Sequence, residues 1–400
     1  MIKSTNSRLS KFIRSEQSSG ILLITCVIIS LLIANSSAGK DFEQLLAYNI
    51  GRKGNLIDLE LSVLNWINDG LMAIFFFYIG LEIKQEVTEG HLSGLKKAAV
   101  PVFAAIGGAV MPALIYALFN NGSPTAEGWG IPMATDIAFA LGALSMLGKL
   151  VPSTIKAFLS ALAVVDDLLA ILVIAIFYSD ELHWTYLFSG LAIFVILMVM
   201  NKLGVKKLVY YIIPGVVMWY LIHHSGIHAT IAGVLTAFTI PLRSANGSPL
   251  KRLAHQLALP VTLGIMPVFA VANTNIVFEG EMLKGVTSIL GLGIILGLLV
   301  GKPLGILTFS WLSVKTRIGS LPHGVTWKQL LGVGALAGIG FTMSIFVAFL
   351  SFGNSPHNNE AKLAILVASC LAGTIGFIYL RSQLRRVSLN KKGLTNASPF

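Results

Sequence analysis

Charge is what this chain has little of. Only 12% of its 400 residues are Asp, Glu, Lys or Arg, where a soluble domain carries about 25%. A water-soluble fold of this length could not hide the 55% of residues that are hydrophobic, so the natural solvent of the chain is lipid. Cysteine is almost missing. Cys26 and Cys370 each sit inside an apolar run, where a lone thiol reads as a small packing residue, and no disulfide framework or Cys/His metal site is legible. Acidic residues are scarce too, 18 against 29 basic ones, for a net charge of +11. That excess does not describe a nucleic-acid surface, because the basic residues fall in small groups between long apolar runs. Membrane proteins mark their cytoplasmic loops in this way.

What is present is a series of apolar runs. A spanning helix needs about 20 mostly apolar residues, and twelve stretches qualify: 20–35, 61–84, 98–119, 129–147, 154–178, 185–200, 207–223, 227–240, 254–273, 287–313, 328–351 and 361–380. The fold class is therefore all-α and polytopic. One transmembrane domain covers 20–380, between an N-terminal tail, 1–19, and a basic, polar tail, 381–400, expected to be irregular. The first run has a second reading. Lys3, Arg8, Lys11 and Arg14 precede it and Ser36-Ser37-Ala38 follows it, as in a cleaved signal peptide; since the rest of the chain already spans repeatedly, an uncleaved first helix suffices.

Charge tests the topology. With both termini in the cytoplasm, 22 of the 29 Lys and Arg fall in cytoplasmic segments, five (Lys40, Arg52, Lys53, Lys284 and Lys362) in external ones, and Lys156 and Lys302 within spans. The asymmetry supports both the number of spans and their orientation. The loop Ser179–His183, with Asp180 and Glu181 and no base, suits the outside.

Ionisable groups at bilayer depth cost several kcal/mol, so each is a functional candidate. Lys156 lies near a span end and can snorkel. Asp166 and Asp167 on the fifth span and Lys302 on the tenth lie deeper, roughly 16–20 Å from the membrane surface at about 1.5 Å rise per residue. Neighbouring helix residues point about 100° apart, so one of the two carboxylates can hold an ion while the other meets an amine. Burial and a like-charged neighbour both favour the protonated carboxyl, and a hard cation such as Na⁺ also seeks carboxylate and carbonyl oxygen. Proton and cation would compete for one site, which is sufficient for exchange. Asp69 and Glu82 share the second span about 20 Å apart. They read as opposite mouths of a pathway, Asp69 external and Glu82 cytoplasmic, or equally as a helix-end charge and an interfacial charge. His228 starts the short eighth span and reads as a pH-tuning group or a satisfied structural histidine. His223 and His224 look like loop residues.

Two spans are interrupted. The fourth carries Pro132, Thr135 and Asp136, and the eleventh carries Gly332, Gly334, Gly338, Gly340, Thr342 and Ser344. Proline removes a backbone donor, and non-helical backbone survives at membrane depth only where protein or a wet cavity surrounds it. Interrupted spans at corresponding places in two halves mark the substrate site of secondary transporters, a regularity drawn in part from the family named next. Spans 3–5 and 10–12 form the two halves, of opposite orientation. Facing half-helix ends carry partial charges, which a buried Asp136 and a buried Lys302 suit.

Trp66-Ile-Asn68-Asp69, Gly80-Leu-Glu82-Ile-Lys84, Ala134-Thr135-Asp136, Val165-Asp166-Asp167-Leu168, Ser225-Gly226-Ile-His228, Gly301-Lys302-Pro303 and Gly338-Ile-Gly340-Phe-Thr342 occur in this order over nearly the whole chain. Taken together they resemble the NhaA-type sodium/proton antiporter family. The resemblance implies crossed extended segments in spans 4 and 11, Asp167 as the main ligand of Na⁺ or Li⁺, Asp166 paired with Lys302, Asp136 and Lys302 compensating the half-helix ends, and Thr135 near the ion. It implies Glu82 at a cytoplasmic funnel where pH is sensed, and an external hairpin-like loop at 38–58 that helps form a homodimer. No cofactor is implied, and the partners are Na⁺, Li⁺, H⁺ and the bilayer of a bacterial inner membrane. The chain departs from the family at Ala254 and Ala258, where some members have an acid and a histidine beside the position of His255; that touches the pH set-point, not the transport site.

Two other classes compete. A sodium-coupled symporter would want a roomier polar cavity than Ala134, Ile137, Gly338 and Ile339 offer. An intramembrane aspartyl protease would need Asp136 and Asp166 to share a proton, lacks a Gly-x-Gly-Asp motif, and leaves Lys302 without a task.

Overall fold

A chain built for lipid buries its polar groups and leaves apolar ones outside, and the computed structural model does so. It describes residues 16–54, 58–90, 92–179, 181–243, 247–278 and 285–396; Lys3, Arg8, Lys11, Arg14, Asp180 and Lys284 lie outside them. Among the described residues, nine helices are long and apolar enough to cross a membrane. A further pair, Trp327–Ala337 and Phe341–Phe352, qualifies jointly across a 49° bend, and two shorter apolar helices, Val209–His223 and Thr230–Thr239, stand at the seventh and eighth span positions. The architecture is all-α and multi-pass. In Trp184–Lys202 only 11% of the apolar window is buried, and Leu118 and Ile176 stand 82% and 69% exposed. Apolar surface of that extent belongs against lipid.

The chain forms two compact units. The first joins Met1–Ile21, His91–Ala170 and Glu279–Phe400, which is nearly all of the two span triplets. Its helices Leu95–Asn120 and Lys302–Lys315 approach closely because the contact is built from small residues. A methyl group on Gly305 would land on the Gly107 carbonyl and 3.0 Å from the Met111 side chain, and one on Gly108 would lie 3.0 Å from Ile306. Small residues at such contacts let backbones approach where no hydrophobic drive brings helices together. A π-helical turn, Gly297–Gly301, directly precedes Lys302.

Both interrupted spans are broken. The fourth begins as a 3₁₀ helix, Ala126–Met133, passes through non-helical Ala134–Asp136, and resumes as the α-helix Ile137–Met146. Gly128, Gly130 and Pro132 weaken the α-helical register of the first half. In the eleventh span, Trp327–Ala337 starts at a capping box, Thr326 Oγ1 accepting from Gln329 N at 3.3 Å and Gln329 Oε1 from Thr326 N at 2.9 Å. That helix stops before Gly338, and Phe341–Phe352 follows. The last helix, Pro356–Asn396, overruns the expected end at 380, so the segment after Arg381 begins as helix rather than irregular chain. Leu380 and Leu384, one turn apart, are both buried, and this shared face carries the helix onward.

The second unit comprises Leu22–Gly90 and Ile171–Phe278. Its second span reads Val63–Asn65, a π-helical turn Trp66–Leu71, then Met72–Glu89. Thr230–Thr239 packs on it through Gly80, whose added methyl would meet Ala237 at 2.7 Å. Lys84 Nζ donates to the carbonyls of Phe238 and Ile240, each at 2.6 Å, closing the C-terminal end of that short helix. Asn68 and Asn273, both fully buried, exchange amide hydrogen bonds of 2.8 and 3.3 Å. Asn49–Ile50 pairs antiparallel with Leu61–Ser62 in register Asn49↔Ser62 and Ile50↔Leu61. The hairpin therefore reaches beyond the expected external loop, 38–58.

Candidate functional site

Breaking a helix orphans backbone groups, and in the first unit each break satisfies the other. Asp136 N donates to the Ile339 carbonyl at 2.7 Å. The Thr135 hydroxyl donates to the Ala337 carbonyl at 2.8 Å, and the Ser344 hydroxyl to that of Ile131 at 2.7 Å. Two non-helical segments thus cross and exchange hydrogen bonds, which is how irregular backbone is tolerated away from water.

Two half-helices begin at this crossing and two end there. Asp136 is the N-cap of Ile137–Met146, its Oδ1 accepting from Phe139 N at 3.1 Å. Its Oδ2 accepts from Thr342 N at 3.1 Å and from the Thr342 hydroxyl, at the start of Phe341–Phe352. One carboxylate, 1% exposed, closes two N-termini, where negative charge is favoured. The C-terminal ends are divided between two residues. Lys302 Nζ donates to the carbonyl of Met133, the last residue of its half-helix, while Thr135 takes that of Ala337.

Lys302 is fully buried. Its Nζ lies 2.8 Å from both carboxylate oxygens of Asp166, and Asp166 Oδ2 also accepts from Thr135 N at 2.8 Å. Asp167 follows on the same helix, Ser153–Phe177, as buried as Asp166. The site therefore buries three carboxylates, Asp136, Asp166 and Asp167, and one amine. Buried charge is costly unless it is paired, and half-helix N-termini supply partial positive charge beside it. Asp136 and Asp166 are committed to separate partners rather than arranged as a proton-sharing dyad. Among the described residues no group of three or more His, Cys, Asp or Glu could hold a metal ion.

The remaining candidates belong to the second unit. Glu82, half-buried, accepts a hydrogen bond from the Tyr78 hydroxyl one turn earlier. Asp69 sits in the π-helical turn, its side chain 19% exposed and its Oδ2 3.9 Å from His223 Nδ1. His228 is half-buried just before Thr230–Thr239, and its carbonyl accepts from Ile231 N at 3.1 Å. His255 is exposed on Pro249–Pro260.

A family model described as Na⁺/H⁺ antiporter 1 matches residues 10–380. The chain belongs to this family. A Flavobacterium johnsoniae protein named Na(+)/H(+) antiporter NhaA 2 is 62% identical over 373 residues, covering 93% of this chain and 91% of the relative. An Escherichia coli O1:K1 protein named Na(+)/H(+) antiporter NhaA is 47% identical over 382 residues, covering 94% and 98%. The relative named Na(+)/H(+) antiporter NhaA from Shigella boydii serotype 4 gives the same 47%. These relatives are named as antiporters, which are transporters and not enzymes.

In this antiporter-family chain, three side chains to which the sequence assigns no site role stand at the sites. Thr342 gives Asp136 two of its hydrogen bonds; its signal was a hydroxyl two residues past Gly340 in a glycine-broken span. Tyr78 bonds Glu82, and the signal was their i, i+4 spacing. His223, a loop residue by the sequence, is the last residue of Val209–His223, where the expected span 207–223 also ends.

Proposed function

We propose that the chain is a secondary transporter exchanging Na⁺ or Li⁺ for H⁺ by alternating access, with proton and cation competing at Asp166 and Asp167. The observation that carries this reading is the imbalance of three buried carboxylates against one buried amine at crossed, broken helices. Asp167 offers the main cation ligand, with carbonyl oxygens exposed by the non-helical segments able to complete an oxygen shell. Asp166 in its ionised form holds Lys302; a proton on Asp166 weakens that pair, so protonation and cation binding are alternatives for the same carboxylates. Asp136 and Thr135 keep the half-helix ends satisfied while the site changes occupant.

On this reading residues 20–380 work as one transporter body in a bacterial inner membrane, with tails 1–19 and 381–400 cytoplasmic as the distribution of Lys and Arg supports. Asp69 lies toward the outside and Glu82 toward the cytoplasm, with His228 and His255 available to tune the pH response, and the hairpin at 49–62 offers an edge for a homodimer. More than one proton per cation would make exchange electrogenic and responsive to membrane potential.

Proteoliposomes carrying a pH-sensitive dye test the reading. Na⁺ or Li⁺, but not K⁺, should drive proton flux, and Asp167→Asn should abolish it while the protein still inserts. Unmutated flux in that variant would refute the assignment.

A further inference from the structure

The second unit contains a cluster that the transport site does not use. Trp66, in the π-helical turn, stacks on Trp219 with centroids 6.0 Å apart, and Trp219 stacks on His223 at 5.9 Å with an interplanar angle of 16°. Trp219 Nε1 donates to the carbonyl of Asp69 at 3.2 Å. This ladder brings His223 Nδ1 to 3.9 Å from Asp69 Oδ2, with the two side chains 20% and 19% exposed. The separation is within ion-pair range. Partial exposure lets both groups exchange protons with solvent while the indoles fix the imidazole.

We infer that His223 and Asp69 form a proton-collecting pair at the outer mouth of the exchanger. The inference rests on the antiport reading above, which puts Asp69 outside. A proton from external water binds the imidazole of His223. The imidazolium is then held beside the Asp69 carboxylate, 3.9 Å away. The charged pair is a local proton store from which exchange draws, and the imidazole is neutral again for the next proton. Histidine suits the task because its side chain gains and loses a proton within the physiological range. The titratable groups facing His223 are Asp69 from the second span, His224 beside it, His228 from the segment leading into Thr230–Thr239, and Asp58 from the hairpin. Asp58 is itself held in place, its carbonyl 2.9 Å from His224 Nε2 and its N–H donating to the Tyr220 hydroxyl at 3.3 Å.

The test is Na⁺-driven proton flux in proteoliposomes over a series of external pH values. His223→Gln keeps polarity but cannot titrate, and should lose rate progressively as the outside becomes alkaline. The loss should reach roughly tenfold, below the usual contribution of a positioned proton carrier. His223→Phe, which keeps a ring on Trp219, should lose rate in the same way, so either variant that inserts decides the matter. Free imidazole in the external buffer should restore His223→Ala. An unchanged pH profile, or a uniform loss that imidazole does not restore, overturns the inference while leaving antiport standing. Absence of Na⁺-driven flux from the unmutated protein would sink the antiport reading and this inference with it.

Discussion

Lys302 and Asp166 allow a test of how this site is held together. Two unit charges 2.8 Å apart attract by roughly 6 kcal/mol at an effective dielectric of about 20, and the cost of desolvating both ions offsets most of that. The net worth of the pair is therefore small, whereas breaking it is expensive. Lys302→Met leaves Asp166 with one neutral donor, Thr135 N, and orphans the Met133 carbonyl; a buried charge stranded in this way costs about 3–5 kcal/mol. Asp166→Asn strands the ammonium instead, with a similar cost. The double variant removes both charges and orphans only the Met133 carbonyl, at about 1–3 kcal/mol. The singles should therefore couple by several kcal/mol, with the double variant melting above both of them. Thermal unfolding of purified protein in detergent, run as a double-mutant cycle, reads the coupling directly. If the two losses simply add, the pair is not the unit that the geometry describes.

Two further substitutions probe the frame around it. Asp136→Ala leaves the Phe139 and Thr342 amides and the Thr342 hydroxyl without their acceptor and should cost about 3–6 kcal/mol, with Asp136→Asn recovering part of it; a melting temperature unchanged from the unmutated protein would remove Asp136 from its place at the two N-termini. Gly305→Ala puts a methyl group on the Gly107 carbonyl and should cost about 1–3 kcal/mol through overpacking; a neutral result would mean that the two helices separate freely.

Much of this was legible in the sequence because lipid is a severe solvent. Twelve apolar stretches and a handful of buried ionisable residues leave few arrangements, and Pro132 and the glycines around Gly338 locate the breaks before any coordinates. Asp136, Asp166, Asp167 and Lys302 stood out for the same reason, and the structure gathers them in one unit. Less legible was whatever depends on a partner distant in sequence. Thr342 meets Asp136 206 residues away, and Asn68 meets Asn273 at 205, separations at which no local periodicity carries a signal. The π-helical turns at Trp66–Leu71 and Gly297–Gly301 alter one hydrogen-bond register within otherwise regular helices, below the resolution of hydropathy. The length of the last helix is not legible because its basic, polar sequence resembles loop, although Lys and Arg favour helix and Leu380 and Leu384 give it a face to bury.

The mutual repair of the two broken spans has a consequence for biogenesis. Segments 131–136 and 337–344 hold hydrogen bonds for each other across more than 200 positions of chain. When the first of them leaves the ribosome, the residues that will satisfy Asp136 and Thr135 have not been synthesised. A bilayer cannot accept those bare polar groups, so the fourth span must wait beside water or the insertion machinery until the eleventh arrives. The two breaks come to rest together, and the candidate site at their crossing is among the last parts of the molecule to exist.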